Sequence, residues 1–327
     1  MVITLLRRSY VLLPLLAVIA LALLGICGGS RWLSPAEFWL DGGGLHPVLE
    51  LRLVRVTAAM VIGGALALSG MVFQAVLRNP LAEPFTLGLS GGAAVGATLA
   101  YILGLRALSL YAVPFAALAG SLVVLGLVLL VSRGGNWGVE SLLLSGVIAG
   151  TICSSLLMFL LSFAQQSELA GVTWWMLGDL QGVDPDLLWP VAVYTIIALI
   201  VLRVLAGDLN VLSLGDEEAF YLGVNPRRLV IFMILIASLL AASTVCLAGI
   251  ISFCGLIIPH IVRRLYGCNH RRILFTGFLW GGGFLILCDL LSRVVFRERE
   301  IPIGVLTSLL GGVVFLMILK RRRPHDA

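Results

Sequence analysis

Long apolar runs, broken by charges, Gly and Pro, recur along the whole chain. They lie at 10–28, 56–77, 88–104, 110–131, 141–163, 189–206, 229–248, 251–265, 273–291 and 303–319. A transmembrane helix needs about 20 mostly apolar residues. The pattern therefore predicts an all-α polytopic membrane protein with about ten transmembrane helices, a single transmembrane domain over 1–327. Composition agrees: 60% of residues are hydrophobic and 12% charged, against about 25% charged in an ordinary soluble domain. A soluble globule of this makeup has too little polar surface, so a cytosolic enzyme, a secreted domain and a disordered chain are excluded. Only the region of Gly249 separates the seventh and eighth runs, which read either as two helices or as a helix and a short re-entrant segment.

Charge gives direction. With ten spans both termini share a side, and that side collects 15 of the 22 basic residues, Arg78, Arg227, Arg228, Arg271 and Arg272 among them. The other side keeps Arg31, Arg52, Arg55, Arg106, Arg293, Arg297 and Arg299. The positive-inside rule then puts both termini in the cytoplasm. The net charge of +5 is a topological signal, and no nucleic-acid partner is expected. Arg7 and Arg8 precede an apolar run from Val11 to Cys27 that is longer than a signal-peptide core and has no A-x-A site after it, so it reads as the first span.

Candidates for chemistry are few. The six cysteines form no CxxC pair and the four histidines no HExxH pattern, so no metal site is expected. No charged residue at mid-span has an evident intramembrane partner; Asp289 is nearest, close to a span end. Ion-coupled transporters usually need such residues. A possible inverted repeat is suggested by Ser69-Gly70 followed by Pro80, and Ala248-Gly249 followed by Pro259, as if each pair ended a helix.

Four segments carry more specific information. Arg52 and Arg55 open the second span, which continues through Gly63 to RNPLAEP at 78–84. LNVLSLGDEEAFYLGV at 209–224 is polar, has helical spacing and is punctuated by Gly215 and Gly223. GLIIPH-x-x-R occupies 255–263, and IPIGVLTSLLGG 301–312. At these residues, in this order from about 50 to 320, the chain resembles the permease subunits of ABC importers for iron chelates, haem and cobalamin. The first 45 residues match only in hydropathy.

The resemblance implies a homodimer in the bacterial cytoplasmic (inner) membrane, two cytoplasmic ABC ATPase subunits and one extracytoplasmic substrate-binding protein, working by alternating access. The chain itself has no GxxxxGK[ST] phosphate loop. It is thus expected to be a non-enzymatic channel subunit with no cofactor of its own, ATP and Mg²⁺ belonging to the ATPase. By the same resemblance, Leu214, Gly215, Asp216, Glu217, Glu218, Phe220, Tyr221 and Gly223 form the ATPase-coupling element. Arg52, Arg55 and Arg293 would face acidic residues of the binding protein, with Arg297 and Arg299 joining them or pairing with Glu298 and Glu300. The fifth, eighth and tenth spans would line the pore, with Ser145, Ser154, Thr307 and Ser308 as polar candidates and Glu140 and Ser141 near a gate. The resemblance favours a ferric siderophore as cargo, with haem or cobalamin as alternatives; an ion-coupled secondary transporter is the reading from another class. His260 is expected to be structural and His270 solvated.

Overall fold

The computed structural model describes residues 10–29, 31–34, 38, 46–133, 138–296 and 300–320. Arg7, Arg8, Arg297, Glu298, Arg299 and the basic run 321–323 lie outside the described residues, as does the side chain of Arg133. Among the described residues there are thirteen α-helices and no strand. They are α1 (Leu12–Cys27), α2 (Pro47–Val76), α3 (Leu89–Ile102), α4 (Ala112–Arg133), α5 (Val139–Phe163), α6 (Gln166–Met176), α7 (Pro185–Val204), α8 (Ala206–Leu212), α9 (Asp216–Tyr221), α10 (Pro226–Ala248), α11 (Cys254–Tyr266), α12 (His270–Val294) and α13 (Ile303–Lys320).

Each of the ten apolar runs holds one helix, and α6, α8 and α9 are additional. Several starts are written locally. His46, Asp184, Asn225 and Asn269 cap α2, α7, α10 and α12 by accepting backbone N–H groups, and a proline follows the first three. A capping acceptor satisfies an orphan helix donor, and proline at the first helical position has no N–H to satisfy. The mixed polarity of α6 hides it from a hydropathy reading. Its signature is instead the Gln165 backbone N–H donating to Glu168 Oε2 at 2.8 Å, a capping-box feature.

The ten helices of the apolar runs lie between two faces. One, the basic face, carries Arg78, Arg203, Arg227 and Arg271; the opposite face carries Arg52, Arg55, Arg293 and α6. The central helix is α2, whose 30 residues reach about 45 Å at 1.5 Å each. It is buried almost all round from Ala58 to Val76, packed against α10, α11 and α12. Close approach replaces the hydrophobic effect as the helix–helix adhesive in a membrane. A Cβ placed on Gly63 would collide with the Gly281 carbonyl, and one on Gly281 with that of Gly63. A second group forms from α3, α4 and α5. The outer faces of α4, α5 and α7 expose Leu127, Leu130, Val147, Ile152, Ile197 and Ile200, surfaces suited to lipid or to another apolar chain.

The seventh and eighth runs are separate helices. Gly249 (φ 70°) ends α10, and Phe253 (φ 66°) opens α11, whose 13 residues are too short to cross about 30 Å of hydrocarbon. Irregular backbone at membrane depth must be satisfied by protein, and here it is. The Ala248 carbonyl accepts from Asp179 N at 2.9 Å, and next to it Ile303 N and Gly304 N donate to Gly178 and Leu177 at 3.2 and 3.0 Å. The residues that follow α6 thus hold the end of α10 and the start of α13 together. The two glycines of the suggested repeat are unlike in structure. Gly249 caps a helix, whereas Gly70 lies inside α2, where a Cβ would strike the Gly255 carbonyl of α11.

Candidate functional site: two charged faces joined by α2 and α12

On the basic face, 206–224 folds as α8 and α9 with a break at Gly215 (φ 150°) and a turn at Gly223 (φ 83°). Leu209, Leu212 and Ala219 point inward and are fully buried, while Leu214, Glu217, Glu218, Phe220 and Tyr221 are exposed. The RNPLAEP turn holds this segment. Arg78 Nε donates to the Leu212 carbonyl at 3.2 Å, and the Arg78 guanidinium pairs with Asp216. At the far end of the same turn Glu83 accepts the Phe253 N–H. Burial pushes the Glu83 carboxyl above its ordinary range, and that hydrogen bond works against the rise. Beside α9 a cavity of about 370 Å³ is lined by Gly138, Val139, Leu142, Phe220, Arg227 and Val230 among others. The gate candidates Glu140 and Ser141 therefore start a helix that adjoins the 206–224 segment.

The other pore candidates are dispersed. Ser145 Oγ lies 3.4 Å from Ser132 Oγ, and Ser154 Oγ donates to the Gly150 carbonyl of its own helix at 3.0 Å. Ser308 is half-buried. Thr307 is fully buried and donates to the Gly304 carbonyl at 3.1 Å, so within this subunit it is a packing residue and lines no passage. His260 stands edge-on to Phe315 with ring centroids 6.4 Å apart. His270 is not solvated: it is 5% exposed and bonded to Asn210. The packing of α8 on the start of α12 covers it, which its basic sequence neighbours conceal.

The opposite face departs most from expectation. Arg52 and Arg293 are 6% and 4% exposed, so as folded they do not present guanidinium groups for docking. Arg52 donates to the carbonyls of Ile26, Cys27 and Arg31 at 3.0, 2.9 and 2.6 Å. Arg293 donates to those of Gly28 and Gly25 at 2.8 and 2.9 Å. Both thus satisfy the bare carbonyls at the end of α1. Asp289, fully buried, has the partners that the sequence hid. Arg55 Nε and Nη2 reach its Oδ1 at 3.0 and 2.7 Å, and Arg293 Nη2 lies 2.8 Å from its Oδ2. Arg55 also holds Glu300 at 2.9 Å. Glu300 thus pairs with an arginine distant in sequence; Arg297 and Arg299, its expected neighbours, lie outside the described residues. Burial raises its carboxyl, but Arg55 and Gln181 together hold it below the ordinary carboxylate range.

Arg55, Asp289 and Glu300 form one wall of a cleft of about 900 Å³, whose other walls include Tyr101, Tyr111, Trp174 and Trp175. Sequence reasoning missed Asn210, Glu83 and Glu300 as linking residues. The available signal for the network was the Asp289–Arg293 spacing, which places both on one helical face.

Comparison with known proteins agrees over the whole fold. The profile of the FecCD transport family matches residues 15–321. The vitamin B12 import system permease protein BtuC of Pectobacterium atrosepticum is 38% identical over 319 residues, 97% of this chain and 95% of that protein. The BtuC of Yersinia enterocolitica is 36% identical, covering 96% and 94%. A solved ABC transporter of the metal-chelate type, in an inward-facing conformation, superposes with a TM-score of 0.85 at 30% identity, covering 94% of this chain and 97% of that one. PsaBC from Streptococcus pneumoniae, at 17% identity and a TM-score of 0.58, shares the fold. With its motifs in order and this match over nearly its whole length, the chain belongs to the FecCD transport family and is an ABC importer permease.

Proposed function

We propose that this permease imports a corrinoid, of the cobalamin class, delivered by an external binding protein. The observation that carries the cargo is the 36–38% identity, over nearly the full length, to permeases named for vitamin B12. A ferric chelate, the cargo first expected, is the second reading, favoured by the likeness to a metal-chelate type transporter. In this reading the basic face is cytoplasmic and both termini lie there, consistent with the concentration of arginine. Two ATPase subunits, holding ATP and Mg²⁺, seat on α8–α9, where exposed Leu214, Phe220 and Tyr221 offer apolar anchors beside the Asp216–Glu218 charges. A second copy completes the passage, supported by the uncovered apolar side of α5, since a two-fold axis turns one such surface into a symmetric platform.

The scarcity of charge at mid-membrane supports a wide, weakly binding path, with selectivity held mainly by the binding protein. The test is uptake into proteoliposomes containing the permease, its ATPase and its binding protein. Labelled cobalamin should accumulate only with ATP and all three components. Accumulation of a ferric siderophore with no competition by cobalamin moves the cargo to the second reading. Uphill uptake by this chain alone would identify a secondary transporter.

A further inference from the structure

The buried side of the 206–224 segment carries a polar contact that fixes its place. Asn210 Oδ1 accepts the backbone N–H of His270 at 3.0 Å. That N–H can only donate, so the amide oxygen is the atom facing it, and His270 Nδ1, 2.7 Å from the same oxygen, must carry a proton. His270 Nε2 is buried without a partner. Among the described residues the Asn210 link is therefore the ring's sole hydrogen bond, made to a helix whose neighbouring Leu209 and Leu212 are fully buried. A polar ring is not held there for packing alone, because an unpaired buried polar group is costly. Asn210 Nδ2 also approaches Asn269 Oδ1 at 3.4 Å, and Arg203 Nη1 donates to the Arg271 carbonyl at 3.0 Å. All of these bonds land on the first residues of α12.

Arg78, just past the end of α2, holds the same part of the segment at Leu212 and Asp216. The two helices so gripped, α2 and α12, are in backbone contact at Gly63 and Gly281 and are cross-linked again at the opposite face by Arg55 and Asp289. We infer that Asn210 and His270 are positioning residues that lock the ATPase-facing segment to an α2–α12 strut, so that a load on Phe220 and Tyr221 reaches the opposite face through that strut. This rests on the reading of 206–224 as the ATPase-docking element. A coupling element needs a stiff attachment, since a slack loop would absorb the displacement.

The test uses the complete importer in proteoliposomes and measures cargo transported per ATP hydrolysed, together with stimulation of hydrolysis by the binding protein. His270→Leu and Asn210→Ala should assemble with the ATPase yet lower both quantities about fivefold, the effect of losing roughly one net hydrogen bond. His270→Asn should restore them, because its side-chain N–H replaces Nδ1 and the bond lost at Nε2 does not exist. Unchanged ratios in His270→Leu and Asn210→Ala overturn the inference, as does a loss that His270→Asn fails to rescue. A second measurement needs neither substitution. Spin labels at Ser213→Cys and Leu287→Cys, with Cys27 and Cys268 changed to serine, should keep their separation within about 2 Å through the nucleotide cycle, the scale of a small helix shift. A larger change overturns the strut whatever the variants do. Failure of the unsubstituted importer to transport with ATP instead overturns the proposed function.

Discussion

Asp289 is the residue whose loss tests the architecture most directly. It lies fully buried between Arg55 and Arg293, accepting from Arg55 at 2.7 and 3.0 Å and facing Arg293 at 2.8 Å. Asp289→Asn keeps the shape and removes the charge. Among the described residues, the guanidinium groups of Arg55 and Arg293 would then keep Glu300 alone as a nearby carboxylate. Breaking a buried ion pair by removing one partner costs about 3–5 kcal/mol. The low end applies here, about 3 kcal/mol, because Arg55 keeps Glu300 and Arg293 keeps the Gly25 and Gly28 carbonyls, while a buried charge left uncompensated still dominates. At roughly 2 °C per kcal/mol for a chain of this size, the melting temperature in detergent should fall by about 6 °C.

The buried free thiols of Cys246, Cys254 and Cys288 allow unfolding to be followed with a thiol-reactive dye. Melting within about 1 °C of the unsubstituted protein would refute the argument that this carboxylate balances the cluster. A control removes the charges together: Arg55→Met, Asp289→Leu and Arg293→Met in one chain should melt closer to the starting protein than Asp289→Asn does, since exchanging a complete buried cluster for apolar groups is often near neutral. Charge reversal at Arg52 or Arg293 should likewise lower the yield of folded protein, so docking of the binding protein cannot be inferred from those variants alone.

Other outcomes follow from the same geometry. Glu217→Lys with Glu218→Lys, both on the exposed side of α9, should weaken co-purification of the ATPase without altering capture of the binding protein; equal recovery of ATPase would remove α9 from that contact. Gly63→Ala should cost at least about 2 kcal/mol by forcing α2 off α12, whereas Gly126→Ala, with open space at the Cβ, should leave melting unchanged. Despite its burial, Arg55 and Gln181 hold the Glu300 carboxyl below the ordinary carboxylate range in the folded protein. Its contribution to stability is therefore fully present above about pH 4.5 and lost as pH falls through the lower folded value. The melting curves of Glu300→Gln and the unsubstituted protein, separated at pH 7, should converge toward acid pH; a constant gap would contradict the Arg55–Glu300 pairing.

What was legible in the sequence was whatever depends on composition within one segment. Hydropathy located the ten apolar helices, because a membrane segment must be apolar over its own length whatever it packs against. The helical spacing of 209–224 and its punctuation at Gly215 and Gly223 are equally local. The fates of the charged side chains were not legible. Arg52, Arg55 and Arg293 look like surface docking residues because their partners, the carbonyls closing α1, the carboxylate of Asp289 and that of Glu300, lie far away in the chain. Asp289 looked isolated and His270 solvated for the same reason. Tertiary structure alone decided these, since a hydrogen bond or ion pair depends on which atoms folding brings within about 3 Å, and sequence spacing carries no such distance between separate helices.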